Sequence, residues 1–152
     1  MPPLVPPTWV VLARAFHSVA GAIARETSRH GLTLAQFAVL EALANKGSLP
    51  LGRLGQLLVV TPGNITYVVN QLERRGLVRR ERAADDRRVV SAALTPEGRE
   101  LVEAIAPEHA RFVRDLFAVL TPAERAVLRR LLKKLGLAAS ATTMRSRATR
   151  RR

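Results

Sequence analysis

At 152 residues the chain is long enough to build one domain around its own core, and an apolar fraction of 47% excludes a disordered polymer. It contains no cysteine, which excludes disulfides, thiolate catalysis, Cys-based zinc sites and thiol redox sensing. Lys and Arg number 25 against 12 Asp and Glu, and the resulting +13 points to a polyanionic partner, nucleic acid before an anionic membrane surface.

Residues 1–7 are Pro-rich and read as an extended N-terminal arm. The opening MPPLVPPTWV lacks a basic region followed by an apolar one, and no apolar run is long enough to span a bilayer. A cytoplasmic protein with no membrane partner is therefore expected. From Thr8 onward Trp9, Leu12, Phe16, Val19, Ile23 and Thr27 recur at three- and four-residue steps, which predicts a helix ending near His30-Gly31. Small Ala13, Ala20 and Ala24 beside that stripe leave room for a second helix. Thr33-x-x-Gln36 is a capping-box pattern that opens the next helix, with Phe37, Leu40, Leu43 and Ala44 inward. Pro50 to Val60 reads as a short third helix with Leu51, Leu54, Leu57 and Leu58 inward.

Thr61-Pro62 then starts a fourth helix, Thr as cap and Pro at the first helical position, and Gly76 stops it behind Arg74 and Arg75. At 100° per residue Ile65, Val68, Val69 and Leu72 share one side. Gly63, Tyr67, Asn70 and Arg74 share the other, flanked by Asn64, Thr66 and Gln71. That outer face carries amides, hydroxyls and cations and almost no acid. It suits base edges and phosphates in a major groove, although an ordinary solvated face has similar chemistry. Two short helices joined by a tight turn, the second polar-faced, have the order of a helix-turn-helix.

After Gly76 the period changes. Residues 77–82 and 89–94 read as two strands around the polar tip Ala83-Ala84-Asp85-Asp86-Arg87-Arg88. A basic hairpin beside a helix-turn-helix is a wing, whose tip can reach phosphates or the minor groove. The bland reading of Arg87 and Arg88 is a surface loop ion-paired to Asp85 and Asp86, and both readings can hold together. Thr95-Pro96-Glu97 opens a fifth helix carrying Leu101, Ile105, Phe112, Leu116 and Leu120, with a kink or break expected at Pro107. Thr121-Pro122-Ala123-Glu124 is a capping box for a last helix, with Val127, Leu128, Leu131, Leu132 and Leu135 as its apolar stripe and Gly136 as its stop. The arginine-rich tail 137–152 is expected to be disordered and to clamp phosphates non-specifically.

This order resembles the multiple-antibiotic-resistance-regulator (MarR) family of winged helix-turn-helix transcription factors over roughly residues 10–136. Asp86-x-Arg88 followed by Leu94-Thr95-x-x-Gly98 resembles the family's wing-into-helix motif, with Ala92 where Val is usual. Gly31-Leu32-Thr33-x-x-Gln36-Phe37-x-x-Leu40 resembles its second-helix start. Residues 66–76 resemble T-R-x-x-x-x-L-E-x-x-G, with Tyr67 in place of the usual Arg and Asn70 in place of the frequent Asp. Those two departures lie on the polar face, so an operator sequence does not carry over from relatives.

The resemblance implies a mainly α fold: a winged helix-turn-helix with a two-stranded β-wing over 33–95, and a helical dimerisation region from 8–32 and 96–136. It implies a homodimer that sets two recognition helices roughly 34 Å apart on a palindromic site in double-stranded DNA. Asn64, Tyr67, Asn70 and Gln71 would face base edges, with Gly63 beside them. Thr61, Thr66, Arg74 and Arg53 would hold phosphates, and Arg88, aimed by Asp86 and beside Arg87, would enter the minor groove. A repressor is the commoner kind. Small aromatic acids commonly act as effectors in the family, and by position Arg14, Phe16, His17 and Phe37 are the candidates here, although Phe16 and Phe37 also suit plain core. No cofactor is expected. His17, His30 and His109 lack metal-ligand spacing, and no nucleophile with a base partner or Gly-rich phosphate loop suggests an enzyme. A sequence-tolerant architectural DNA-binding protein is the alternative; a winged helix used for protein docking fits the charge less well.

Overall fold

The computed structural model describes residues 7–58, 62–82 and 89–149. Among the described residues, six helices and three short strands follow in the order α1 (Pro7–Ser28), α2 (Leu34–Lys46), β1 (Leu49–Pro50), α3 (Leu51–Leu58), α4 (Pro62–Arg74), β2 (Val78–Arg82), β3 (Val90–Leu94), α5 (Pro96–Leu116) and α6 (Pro122–Thr149). The chain divides into two units, Met1–Arg111 and Phe112–Arg152.

The first unit holds the core. Leu32, Phe37, Val39, Leu40, Leu43, Leu54, Ile65, Val68, Val69, Leu72, Val78, Ala92, Val102 and Ile105 are buried together. Every position on the predicted inner face of α4 is among them. The capping box at the start of α2 forms as its spacing requires: the Gln36 amide N–H donates to Thr33 Oγ1 at 3.1 Å and the Thr33 N–H donates to Gln36 Oε1 at 3.0 Å.

Helices α1 and α4 end in the same way. Gly31 and Gly76 take φ of +68° and +70°, conformations that glycine adopts without a Cβ penalty. Behind Gly76, the Leu77 N–H donates to Leu72 O at 3.0 Å and the Gly76 N–H to Glu73 O at 2.9 Å. Behind Gly31, Leu32 donates to Thr27 O at 3.3 Å and Gly31 to Ser28 O at 3.0 Å. This paired 6→1 and 5→2 pattern caps the orphan carbonyls and buries the residue after each glycine.

The sheet is antiparallel in the order β1-β3-β2. The two predicted wing strands pair from Val78↔Leu94 to Arg82↔Val90, and β1 adds a third strand through Leu49↔Ala92 and Pro50↔Ser91. Residues Leu49 and Pro50 carry no strand periodicity, so this addition is a correction to the two-stranded expectation. Leu57, expected inward, is 41% exposed at the end of α3. Helix α5 runs unbroken through Pro107, which stands at an exposed position. The expected disordered tail is helical as far as Thr149, and Gly136 is not a stop. Gly136 has no positive φ among the described glycines, and the alanines that follow are strong helix formers.

Candidate nucleic-acid interface

Helix α4 presents its polar face as its periodicity requires. Gly63, Asn64, Thr66, Tyr67 and Arg74 are exposed, and Asn70 and Gln71 are half-buried. Thr61, Asp86, Arg87 and Arg88 lie outside the described residues. Arg53 is exposed on α3, where its Nη1 donates to Gln56 Oε1 at 3.3 Å.

Two of the predicted base-facing amides are held by the protein itself. Gln71 accepts from Gln36 Nε2 at 3.0 Å and donates through its own Nε2 to the Tyr67 hydroxyl at 2.6 Å. Asn70 Oδ1 accepts from Arg80 Nη2 on β2. Each of these oxygens thus already accepts a hydrogen bond within the protein. Tyr67 remains 61% exposed.

Arg80 fixes the wing to this helix. Besides Asn70, its backbone N–H donates to Glu73 Oε1 at 3.3 Å, and its Nε lies 3.6 Å from Glu73 Oε2. Glu73 is the sole acid of α4, so Arg80 neutralises the one charge that would repel a phosphate. Arg75 ties the end of α4 to the turn after α1, donating to Gly31 O at 2.8 Å. At the base of the wing, Arg79 Nε and Ser48 Oγ donate to Glu81 at 2.8 and 3.1 Å. Those bonds, Arg79 first, hold the Glu81 carboxyl below the ordinary carboxylate range.

The four predicted effector residues stand in different settings. Arg14, Phe16 and His17 are exposed on α1, the Phe16 and His17 rings meeting edge-on at 5.9 Å. Phe37 is 3% exposed and lies 4.4 Å, centroid to centroid, from the ring of His109. That histidine marks a cluster the sequence did not reveal. Its Nδ1 is 2.8 Å from Oε2 of buried Glu26, whose Oε1 is 3.8 Å from His30 Nε2. Residues 26 and 109 are far apart in sequence, and no helical period links them. Among the described residues no group of three or more His, Cys, Asp or Glu is placed to hold a metal ion, and no helix is long and apolar enough to cross a membrane.

Both ends of the chain carry exposed apolar side chains. On α1 these are Trp9, Val11 and Phe16; on α6 they are Val127, Leu128, Leu131, Leu132, Leu135 and Leu137. The apolar stripe read along α6 is thus exposed, at three- and four-residue helical steps.

Comparison with known proteins agrees with this architecture. Residues 32–90 match the family model described as MarR family. The chain is 37% identical to the HTH-type transcriptional regulator MhqR of Bacillus subtilis, over 85% of this chain and 89% of that protein. Its fold matches that of BpsR from Bordetella bronchiseptica, whose DNA binding is regulated by 6-hydroxynicotinic acid: TM-score 0.78, 30% identity, 86% of this chain and 99% of the other. It also matches Sco3205, a MarR family transcriptional regulator from Streptomyces coelicolor solved in complex with DNA, at a TM-score of 0.81 and 26% identity over 90% of each chain.

Proposed function

The chain belongs to the MarR family of winged helix-turn-helix transcription regulators, and from that premise we propose that it is a cytoplasmic, non-enzymatic repressor that binds a palindromic operator as a homodimer. The observation that carries this reading is the outer face of α4: exposed Asn64, Thr66, Tyr67 and Arg74 on a helix whose one acid is already paired to Arg80. Tyr67 and Asn64 face base edges. Thr66, Arg74 and Arg53 hold phosphates, and Thr61 joins them from the helix start. Arg88, with Asp86 and Arg87, serves the minor groove from the wing tip.

The homodimer is supported by the exposed apolar stripe of α6 and by exposed Trp9 and Phe16 on one face of α1, since exposed apolar surface marks an interface. The domain roles follow: 33–95 reads DNA, 8–32 and 96–136 join the two copies, and the basic C-terminal segment adds phosphate contacts. A small aromatic acid releases the dimer from DNA, a reading supported by BpsR, whose DNA binding answers to 6-hydroxynicotinic acid.

Binding-site selection from random duplexes, repeated with a panel of phenolic and heteroaromatic acids, tests this. A palindrome that outcompetes random DNA by about 10³ or more is the expected result. Uniform affinity for all duplexes would instead identify a sequence-tolerant architectural protein.

A further inference from the structure

The Tyr67 hydroxyl ends a hydrogen-bond chain whose direction is set at its far end. The backbone N–H of Thr33 can only donate, and it donates to Gln36 Oε1 at 3.0 Å. Arg75 Nη1, also a donor only, lies 3.5 Å from the same oxygen. These two contacts orient the Gln36 amide, so its Nε2 is the group that meets Gln71, at 3.0 Å from Gln71 Oε1. Gln71 is oriented in turn, and its Nε2 donates to the Tyr67 oxygen at 2.6 Å. A phenol that receives an N–H keeps its own proton for a second partner. Gln36 is 6% exposed and Tyr67 is 61% exposed, so the chain runs from the core to the polar face of α4.

We propose that Tyr67 is a DNA-contacting residue that donates its phenolic proton to an acceptor on DNA, and that Gln36 is the positioning residue that fixes this polarity through Gln71. The proposal rests on the reading of α4 as the DNA-reading helix. The acceptor is a purine N7, guanine O6, thymine O4 or a phosphate oxygen; the amino groups of adenine and cytosine are refused, because they too only donate.

The test uses the full-length protein and a duplex that the wild type selects from a random pool. Tyr67→Phe removes the proton and keeps the ring. Gln36→Glu keeps the capping box, in which Glu is a standard partner, but has no donor for Gln71. Gln71 then turns its Nε2 to the carboxylate and its oxygen to Tyr67, whose proton is drawn inward. Each variant is expected to weaken binding of the selected duplex by about tenfold, and the double variant no further, because both remove one hydrogen bond to DNA. Gln71→Glu repeats the reversal without touching the start of α2, and Tyr67→Phe should add nothing in that background either.

Wild-type affinity for Gln36→Glu, or losses that multiply, would overturn the proposal. Base-pair substitutions and single methylphosphonates along the duplex locate the acceptor: the position where wild type loses its advantage over Tyr67→Phe is a base edge in the first case and a phosphate in the second. If Tyr67→Phe is silent while Arg74→Ala weakens binding, this inference fails and the DNA-reading role of α4 stands. If both are silent, that role fails as well.

Discussion

Gly98 on α5 lies so close to the backbone of Leu77 that a Cβ there would overlap the Leu77 carbonyl oxygen and stand 2.9 Å from its carbonyl carbon. Leu77 is the residue that caps α4, and its carbonyl also accepts from the Thr95 N–H at 3.2 Å. The start of α5 is thus pressed onto the end of α4. Gly98→Ala would favour an isolated helix by about 1 kcal/mol. Here the overlap is with backbone that cannot step aside, so the substitution should destabilise the protein by about 1–3 kcal/mol or more. Urea unfolding decides between the two signs.

Thr95 makes the same junction polar. Its hydroxyl donates to Gly76 O at 2.6 Å and accepts from the Gly98 N–H at 3.0 Å. Thr95→Val keeps the shape and loses both bonds, including the cap of α5. The expected cost is about 1–2 kcal/mol. Amide exchange of Gly76 to Leu77 and of the first turn of α5 should accelerate together, since one hydroxyl serves both.

How far these contacts can be read from sequence depends on how far apart the partners are. The capping box of Thr33 and Gln36 spans one helical turn, and the buried face of α4 repeats at helical period, so both were legible. The Gln36 side chain was legible only as a cap, because its second partner, Gln71, lies 35 residues away. Asn70 and Gln71 were placed on the correct side of α4, but periodicity assigns a face and not a partner, and both amides bond within the protein. Strand β1 escaped because two residues, one of them Pro50, hold no alternation to read. Leu57 and Gly136 were misjudged for a related reason: an apolar residue near a helix end need not face the core, and a glycine stops a helix only when the chain after it turns away.

Glu26 should be a stability determinant. Its carboxylate is 3% exposed and sits 2.8 Å from His109 Nδ1, joining α1 to α5. Glu26→Ala leaves His109 without that partner beside the Phe37 ring, at an expected cost of about 1–3 kcal/mol. Glu26→Gln keeps the volume and one acceptor and should recover part of the loss. Denaturant midpoints of the three proteins at one pH check the order.

Two carboxylates give the fold an acid-side dependence. Glu124 accepts from the Thr121 N–H and hydroxyl, both at 2.8 Å, and these bonds, the backbone one first, lower its carboxyl below the ordinary range. Glu81 is lowered by Arg79 and then Ser48. A carboxylate with a depressed folded-state value adds stability that is complete above its unfolded value near 4.5 and is lost as pH falls through the folded value. Glu124→Gln should therefore lower α6 amide protection at neutral pH toward the wild-type acid value, and so flatten its loss on acidification below about pH 4.5. Unchanged acid behaviour in that variant would remove Glu124 as its source.

The α6 stripe makes the last prediction, on assembly. Leu131 and Leu135 stand one turn apart and are 53% and 50% exposed. A side chain already half in water contributes little to the core of its own unit, so Leu131→Glu should leave the melting of the first unit almost unchanged. If the stripe is buried between two copies, the same change places a carboxylate in a desolvated apolar contact, a cost of several kcal/mol when unpaired. Sedimentation should then shift from dimer toward monomer. Affinity for a palindromic duplex should fall steeply, because each monomer holds only one half-site, while affinity for a single half-site stays constant. A variant that remains dimeric would move the interface elsewhere, with Trp9, Val11 and Phe16 on α1 the next surface to alter.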